Sequence, residues 1–298
     1  MNNKQLSQIF DGTATGSQLE EVLTLSSMIA PSIDTGIIRE VHDDLEDFFS
    51  GNHPDFKKST MPYHNLRHTQ MVALATIRLF HGLYCNHVEI SERTYLKGML
   101  AAYFHDTGLL LQTEDTAESG TQYMSGHETR SIQFLNTYAK DKGLADDIAR
   151  DCEIIINYTD IHQDPATFAY HSHEIQLAGQ VVGSADILAQ MADRYYLECL
   201  PALYNEMESG NVNNHSSALQ LMERTANFYQ DVVLKRLIVT LSHTSRAMRT
   251  HFRVRHNIDR NLYIENIDKN INYLKKIIKR CADIDSLGLY LKRTPPCL

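Results

Sequence analysis

The chain has 298 residues, 43% hydrophobic and 22% charged, with a formal net charge of −9. It is long enough to bury a sizeable core, too apolar for a disordered polymer, and lacks the run of about 18 apolar residues that a spanning helix needs. Its five cysteines (Cys85, Cys152, Cys199, Cys281 and Cys297) are odd in number and contain no CxxC pair, so reduced thiols are expected rather than a disulfide framework or a thiolate zinc knuckle.

Met1 to Ser7 lack the apolar core of a secretion signal; with the reduced thiols this implies a cytoplasmic protein. Val22 to Ile29 and Ile37 to Phe49 read as two helices separated by Pro31 and Gly36. A polar, proline-containing stretch, Gly51 to Pro62, follows. The next helix is expected near 64–84, with Pro62 at or before its first turn. That helix would carry His64 and His68 on one face, since residues i and i+4 are neighbours there.

A helix near 91–106 contains the apolar run Tyr95 to Phe104 and ends abruptly in His105-Asp106, with Gly108 just beyond. A carboxylate at the end of such a run is costly to bury unless it is paired or bound to a metal; an exposed helix end is the alternative. Helices near 127–142, 144–160 and 174–208 follow, the last expected to break near Pro201. Asp186 interrupts apolar sequence on both sides, so it needs a cation: a metal, or an arginine such as Arg194. Gln112 to Gly126, Gln163 to Ser172 and Ser209 to Ser217 have loop composition, and the first could cover a site at His105-Asp106. Helices near 217–234, 235–252 and 259–282 complete the chain, and the tail Thr294 to Leu298 is expected to be loose. Few alternating strand patterns and no glycine-rich phosphate loop occur, so the fold class is all-α.

Charge is unevenly spread. Residues 246–280 carry ten basic side chains against Asp259, Glu265 and Asp268, or +7, which leaves −16 on the remainder. Such a segment could meet nucleic acid. Ile264, Ile267, Ile271, Leu274 and Ile278 form a helical apolar stripe beside those charges, however, and favour a packed helix with a solvated face.

His64, His68, His105, Asp106 and Asp186 together offer imidazole nitrogens and carboxylate oxygens, which borderline and hard divalent cations accept. Their order (His, then His-Asp, then Asp) resembles the HD superfamily of metal-dependent phosphohydrolases. Tyr63-His64-Asn65-Leu66-Arg67-His68 is similar to the opening motif of cyclic-nucleotide phosphodiesterases within it. Gly126-His127-Glu128, followed by Ser131, resembles the segment that opens the next helix in many HD proteins. Ile154 to His162 resembles the helix that ends in a threonine and a histidine. The resemblance covers about residues 61–205.

It implies an HD- or phosphodiesterase-like helical bundle, with an N-terminal helical extension at 1–50, a catalytic core at 61–208 and C-terminal helices at 215–290. It implies that His68, His105, Asp106 and Asp186 hold one divalent ion (Mn, Mg, Zn, Fe, Ni or Co). His127 and His162 would help hold a second ion, with Asp106 bridging, and His64 would act as general acid. The expected activity is hydrolysis of a small phosphoester by metal-activated water. A metal- or ligand-sensing module without turnover and a di-iron oxygenase are the alternatives. The implied partner is a small phosphorylated substrate. The reading argues against membrane and nucleic acid and is compatible with a homodimer. Arg67 and Lys97 are candidate cations for the substrate by proximity in sequence alone. The glutamine and aromatic clamp of cyclic-nucleotide phosphodiesterases have no convincing counterpart; Tyr195, Tyr196, Tyr204, Phe228 and Tyr229 are aromatic candidates for a pocket wall, with core packing favoured.

Overall fold

The computed structural model describes residues 3–14, 16–169, 172–281 and 283–295. Among them are thirteen α-helices: α1 (Asn3–Phe10), α2 (Gln18–Ile29), α3 (Gly36–Ser50), α4 (Leu66–Cys85), α5 (Glu92–Phe104), α6 (His127–Asp141), α7 (Asp146–Ile156), α8 (His173–Ala192), α9 (Tyr196–Ser209), α10 (Ala218–Phe228), α11 (Ala247–His256), α12 (Leu262–Ile278) and α13 (Ile284–Gly288). No strand is formed among these residues; Phe56 and Gln112 make an isolated antiparallel bridge. The all-α expectation holds, and no described helix is long and apolar enough to cross a membrane.

Helix α4 is the axis of the fold. Residues 71–83 are buried without interruption, the signature of a helix surrounded by others. It packs against α8, α11, α2 and α5, and α8 packs in turn on α5, α7 and α12. The buried Arg78 ties three segments together: Nη1 donates to Phe10 O at 2.7 Å and Tyr263 Oη at 3.0 Å, and Nη2 to Ile9 O at 2.5 Å. One guanidinium therefore fixes α1 and α12 to the central helix. Neither α1 nor α13 is anticipated by the sequence pattern.

Several boundaries differ from expectation for identifiable reasons. Helix α4 starts after His64, because Asn65 is its cap: the Asn65 side chain accepts from the His68 backbone N–H at 3.1 Å. His64 and His68 are therefore not on one helical face. The long segment 174–208 breaks at Asp193–Tyr195, not at Pro201, which lies inside α9. Asp193 is extended at ψ 137°, its carboxylate accepts from Tyr195 N at 3.1 Å, and it pairs with Arg67. This local bonding gives the backbone an alternative to the helix.

The segment 235–252 is likewise split. Ser242 (φ 49°) and His243 (φ 58°) are left-handed and separate a π-helical turn at Arg236–Thr240 from α11. A second π-helical turn, Tyr229–Val233, extends α10. Helix α7 ends at Ile156, so Thr159 and His162 lie in the loop beyond it.

Ile267, Ile271 and Leu274 of the α12 stripe are buried, while Arg249, Arg255 and Arg260 pair with Asp259, Glu21 and Glu265. The basic segment is thus a packed helix pair with part of its charge neutralised. Cys85, Cys152, Cys199 and Cys281 are not in disulfides; Cys297, and the tail beyond Pro295, lie outside the described residues.

Candidate metal centre

Three helix ends and one helix interior converge at the buried floor of a cavity of about 910 Å³. The Asn65 cap places His68 in the first turn of α4. The doublet follows directly on α5, where the Thr107 hydroxyl donates to Phe104 O at 2.8 Å. His105 Nδ1 donates to Ala102 O at 2.8 Å, which fixes the tautomer and turns the Nε2 lone pair inward. His127 repeats the device at the start of α6, with Nδ1 donating to Met124 O at 3.0 Å. Asp186 projects from the middle of α8.

His68 Nε2 and His105 Nε2 are 3.4 Å apart. Asp106 Oδ2 lies 3.4 Å from the former and 3.3 Å from the latter, and one ligand atom from each of the three residues falls within a common 4.8 Å. Asp186 Oδ1 reaches the same imidazoles at 3.2 and 3.7 Å. Asp106 Oδ2 is buried and has no hydrogen-bond partner, a costly state for a carboxylate oxygen that a cation between these atoms relieves. The donor set fits a divalent ion.

Asp106 is two-faced. Its Oδ1 stands 3.3 Å from His127 Nε2 while Oδ2 faces His68 and His105, the disposition a bridging carboxylate needs. Burial disfavours charge on the His105 and His127 rings, but the adjacent Asp106 outweighs it and pushes both up to about 9. Burial also raises Asp106, yet the charge of His105 dominates and holds the carboxyl well below its usual range.

His162 does not join them. It lines the same cavity but its side chain is exposed, and its backbone N–H donates to Asp160 Oδ1 at 2.8 Å. Because α7 ends early, its residues 157–163 form a loop held from outside. Arg236 donates to the carbonyls of Tyr158, Asp160, Ile161 and Gln163 at 2.9, 2.6, 3.2 and 3.4 Å.

His64 also faces the cavity, on the side opposite its bond to Glu206, where Nδ1 and Oε2 are 2.6 Å apart. Glu206 Oε1 accepts from Tyr63 N at 2.6 Å. Burial lowers the His64 pKa, and the Glu206 bond and the Asp106 charge more than offset it, so the net shift is upward. Glu206 is absent from the sequence reading, although it continues the i, i+3 stripe of Leu200 and Leu203 along α9, both of which line the cavity.

The sequence candidates for substrate cations have other partners. Arg67 binds Asp193, with Nη2 to Oδ1 at 3.2 Å. Lys97 is buried against α7, with Nζ 2.5 Å from Asp151 and 2.8 Å from Asp147; it is neither at the site nor on a solvated face. Arg194 does not pair with Asp186; its guanidinium lies over the Tyr195 ring. Of the loop Gln112 to Gly126, only Met124, Ser125 and Gly126 reach the cavity, and Tyr196 and Phe228 join its wall.

The family model for Npun_R2479-like proteins matches residues 54–266, a span that contains every residue of this site. No curated protein matches the chain.

Proposed function

The chain belongs to the Npun_R2479-like family, and we propose that it is an HD-type, metal-dependent phosphohydrolase acting on a small phosphoester. The observation that carries this reading is the orphaned Asp106 Oδ2, buried between the Nε2 atoms of His68 and His105, the latter turned for ligation by its Nδ1 bond to Ala102 O. His68, His105, Asp106 and Asp186 would hold the ion, and His127 with Asp106 would offer a position for a second. When bound, such an ion supplies a Lewis acid that neutralises phosphoryl oxygens and acidifies water.

The rest is done by the chain itself. His64, protonated and held at Nδ1 by Glu206, presents Nε2 to the cavity as the donor for a departing alkoxide. Leu200, Leu203, Met207, Leu221 and Phe228 form an apolar wall that suits the organic part of a phosphoester, while Arg224 lies on the same wall. Reduced cysteines suit a cytoplasmic enzyme.

Nitrophenyl mono- and diesters with Mn²⁺, Mg²⁺, Co²⁺ or Ni²⁺ test the assignment directly, with the Asp106→Ala variant as control. Turnover that disappears with tight metal binding in that variant is expected. Full activity in Asp106→Ala, or two irons with no phosphatase activity in the wild type, overturns the reading.

A further inference from the structure

Among the described residues a second group of three potential ligands lies outside the catalytic cavity. Glu21 of α2, His251 of α11 and His256 at the end of α11 each offer one ligand atom, all within 4.8 Å of one another. His251 is fully buried and Glu21 is 2% exposed.

Two independent features make this more than a chance meeting. His251 Nε2 and His256 Nε2 are both buried with no hydrogen-bond partner, a doubled cost that one shared ion would remove. The other nitrogen of His251, Nδ1, lies 3.2 Å from His81 Nδ1 of α4. With His251 as the donor there, its Nε2 presents a lone pair to Glu21 and His256, the arrangement in which an outer partner orients a metal-bound imidazole.

We propose that Glu21, His251 and His256 form a three-ligand transition-metal site that joins helix α2 to α11. Ligands about 2.0–2.2 Å from a tetrahedral zinc stand about 3.3–3.6 Å apart, so atoms within 4.8 Å of one another need draw in by about 1.5 Å at most. Glu21 has the rotatable bonds to do this. Both of its oxygens are paired with Arg255, Oε1 with Nε at 3.4 Å and Oε2 with Nη2 at 3.1 Å, so an ion would have to share the carboxylate with that guanidinium, most easily through Oε1, the more distant contact. Arg255 and the buried Arg78, whose guanidinium lies 5.5 Å from the Phe252 ring beside His251, disfavour a cation held by charge alone. The site therefore selects an ion that bonds well to imidazole, such as Zn²⁺ or Co²⁺, over Mg²⁺ or Ca²⁺.

The test uses full-length chain carrying His68→Ala and Asp106→Ala, which disables the catalytic centre, with and without His256→Gln. After chelation, reloading with Zn²⁺ and removal of free ion, the double variant should retain one zinc per chain, and the triple variant none. Co²⁺ in the double variant should give visible bands, and Zn²⁺ but not Mg²⁺ should raise its melting temperature. Should the background variant fail to fold by circular dichroism, the wild type and Glu21→Gln are compared, and loss of one zinc equivalent is expected. No retained zinc in the folded background, or the same zinc content with and without His256, overturns the proposal.

Discussion

His64 and Glu206, 142 residues apart in the chain, meet at 2.6 Å. The carboxylate is 2% exposed and holds the ring by Nδ1, leaving Nε2 toward the cavity. Because the His64 pKa is raised, the ring keeps its proton to higher pH than a free imidazole. A general acid must be protonated to work, so the alkaline limb of the kcat/KM profile should reflect this group. Glu206→Gln removes the charge that raises it, and the limb should move to lower pH. His64→Ala should retain the metal and slow cleavage by about 10²-fold or more for poor leaving groups, and less for nitrophenolate. An unmoved pH limb in Glu206→Gln, or equal losses for good and poor leaving groups in His64→Ala, would contradict the role.

His127 and His162 should separate cleanly. His127 touches Asp106, whereas His162 is an exposed part of the cavity rim. His127→Ala should lower occupancy of a second ion and leave the first in place, while His162→Ala should leave metal content unchanged and act on KM. Metal analysis of the two variants decides; a loss of bound ion in His162→Ala would return that residue to the ligand set.

Arg236 is a brace. Four carbonyls of the 158–163 loop converge on its guanidinium, and the residue is 7% exposed. Hydrogen bonds to a charged group contribute roughly 1.5–3 kcal/mol each net of the solvent contacts they replace, and long or shared ones less. Arg236→Met should cost on the order of 2–4 kcal/mol in stability and free the loop for proteolysis between Tyr158 and Gln163. Metal content should persist, since no ligand touches this arginine. An unchanged denaturation midpoint would show that the loop is held by other contacts.

The legibility of this chain follows from how local each signal is. His105-Asp106 and Asp186 stand out because charged or ligating groups interrupt apolar runs, and burial makes such groups costly without a partner; the folded chain brings them together with His68. The four-residue spacing puts His64 on α4, but Asn65, a capping side chain between the two histidines, makes Leu66 the first helical residue and leaves His64 outside. The break at Asp193 is set by its own carboxylate and by Arg67 at a distance of 126 residues, so a proline eight residues on was the more visible and the wrong marker. Ser242 and His243 adopt left-handed angles that are uncommon outside glycine, and nothing in the local pattern marks them. Glu206 and Arg236 act on partners more than 70 residues away, beyond the reach of spacing arguments.

Gly108 carries the last prediction because it links the doublet to α6. Its N–H donates to Ser131 Oγ at 2.8 Å, and that hydroxyl donates to His105 O at 2.7 Å. A Cβ at Gly108 would lie 2.0 Å from His127 O and 2.8 Å from Ser131 N. These are backbone atoms that cannot swing aside, so Gly108→Ala must push the start of α6 away from the loop after α5. Overpacking of this kind costs about 1–3 kcal/mol, and here it also draws His127 away from Asp106. The variant should melt at lower temperature and lose a second metal equivalent before the first, while Ser131→Ala, which removes the hydroxyl without crowding, should show the smaller loss of stability and keep both. Titration of metal content against ion concentration in the two variants would reveal it. Equal occupancy in Gly108→Ala and wild type would mean that His127 is positioned independently of this contact.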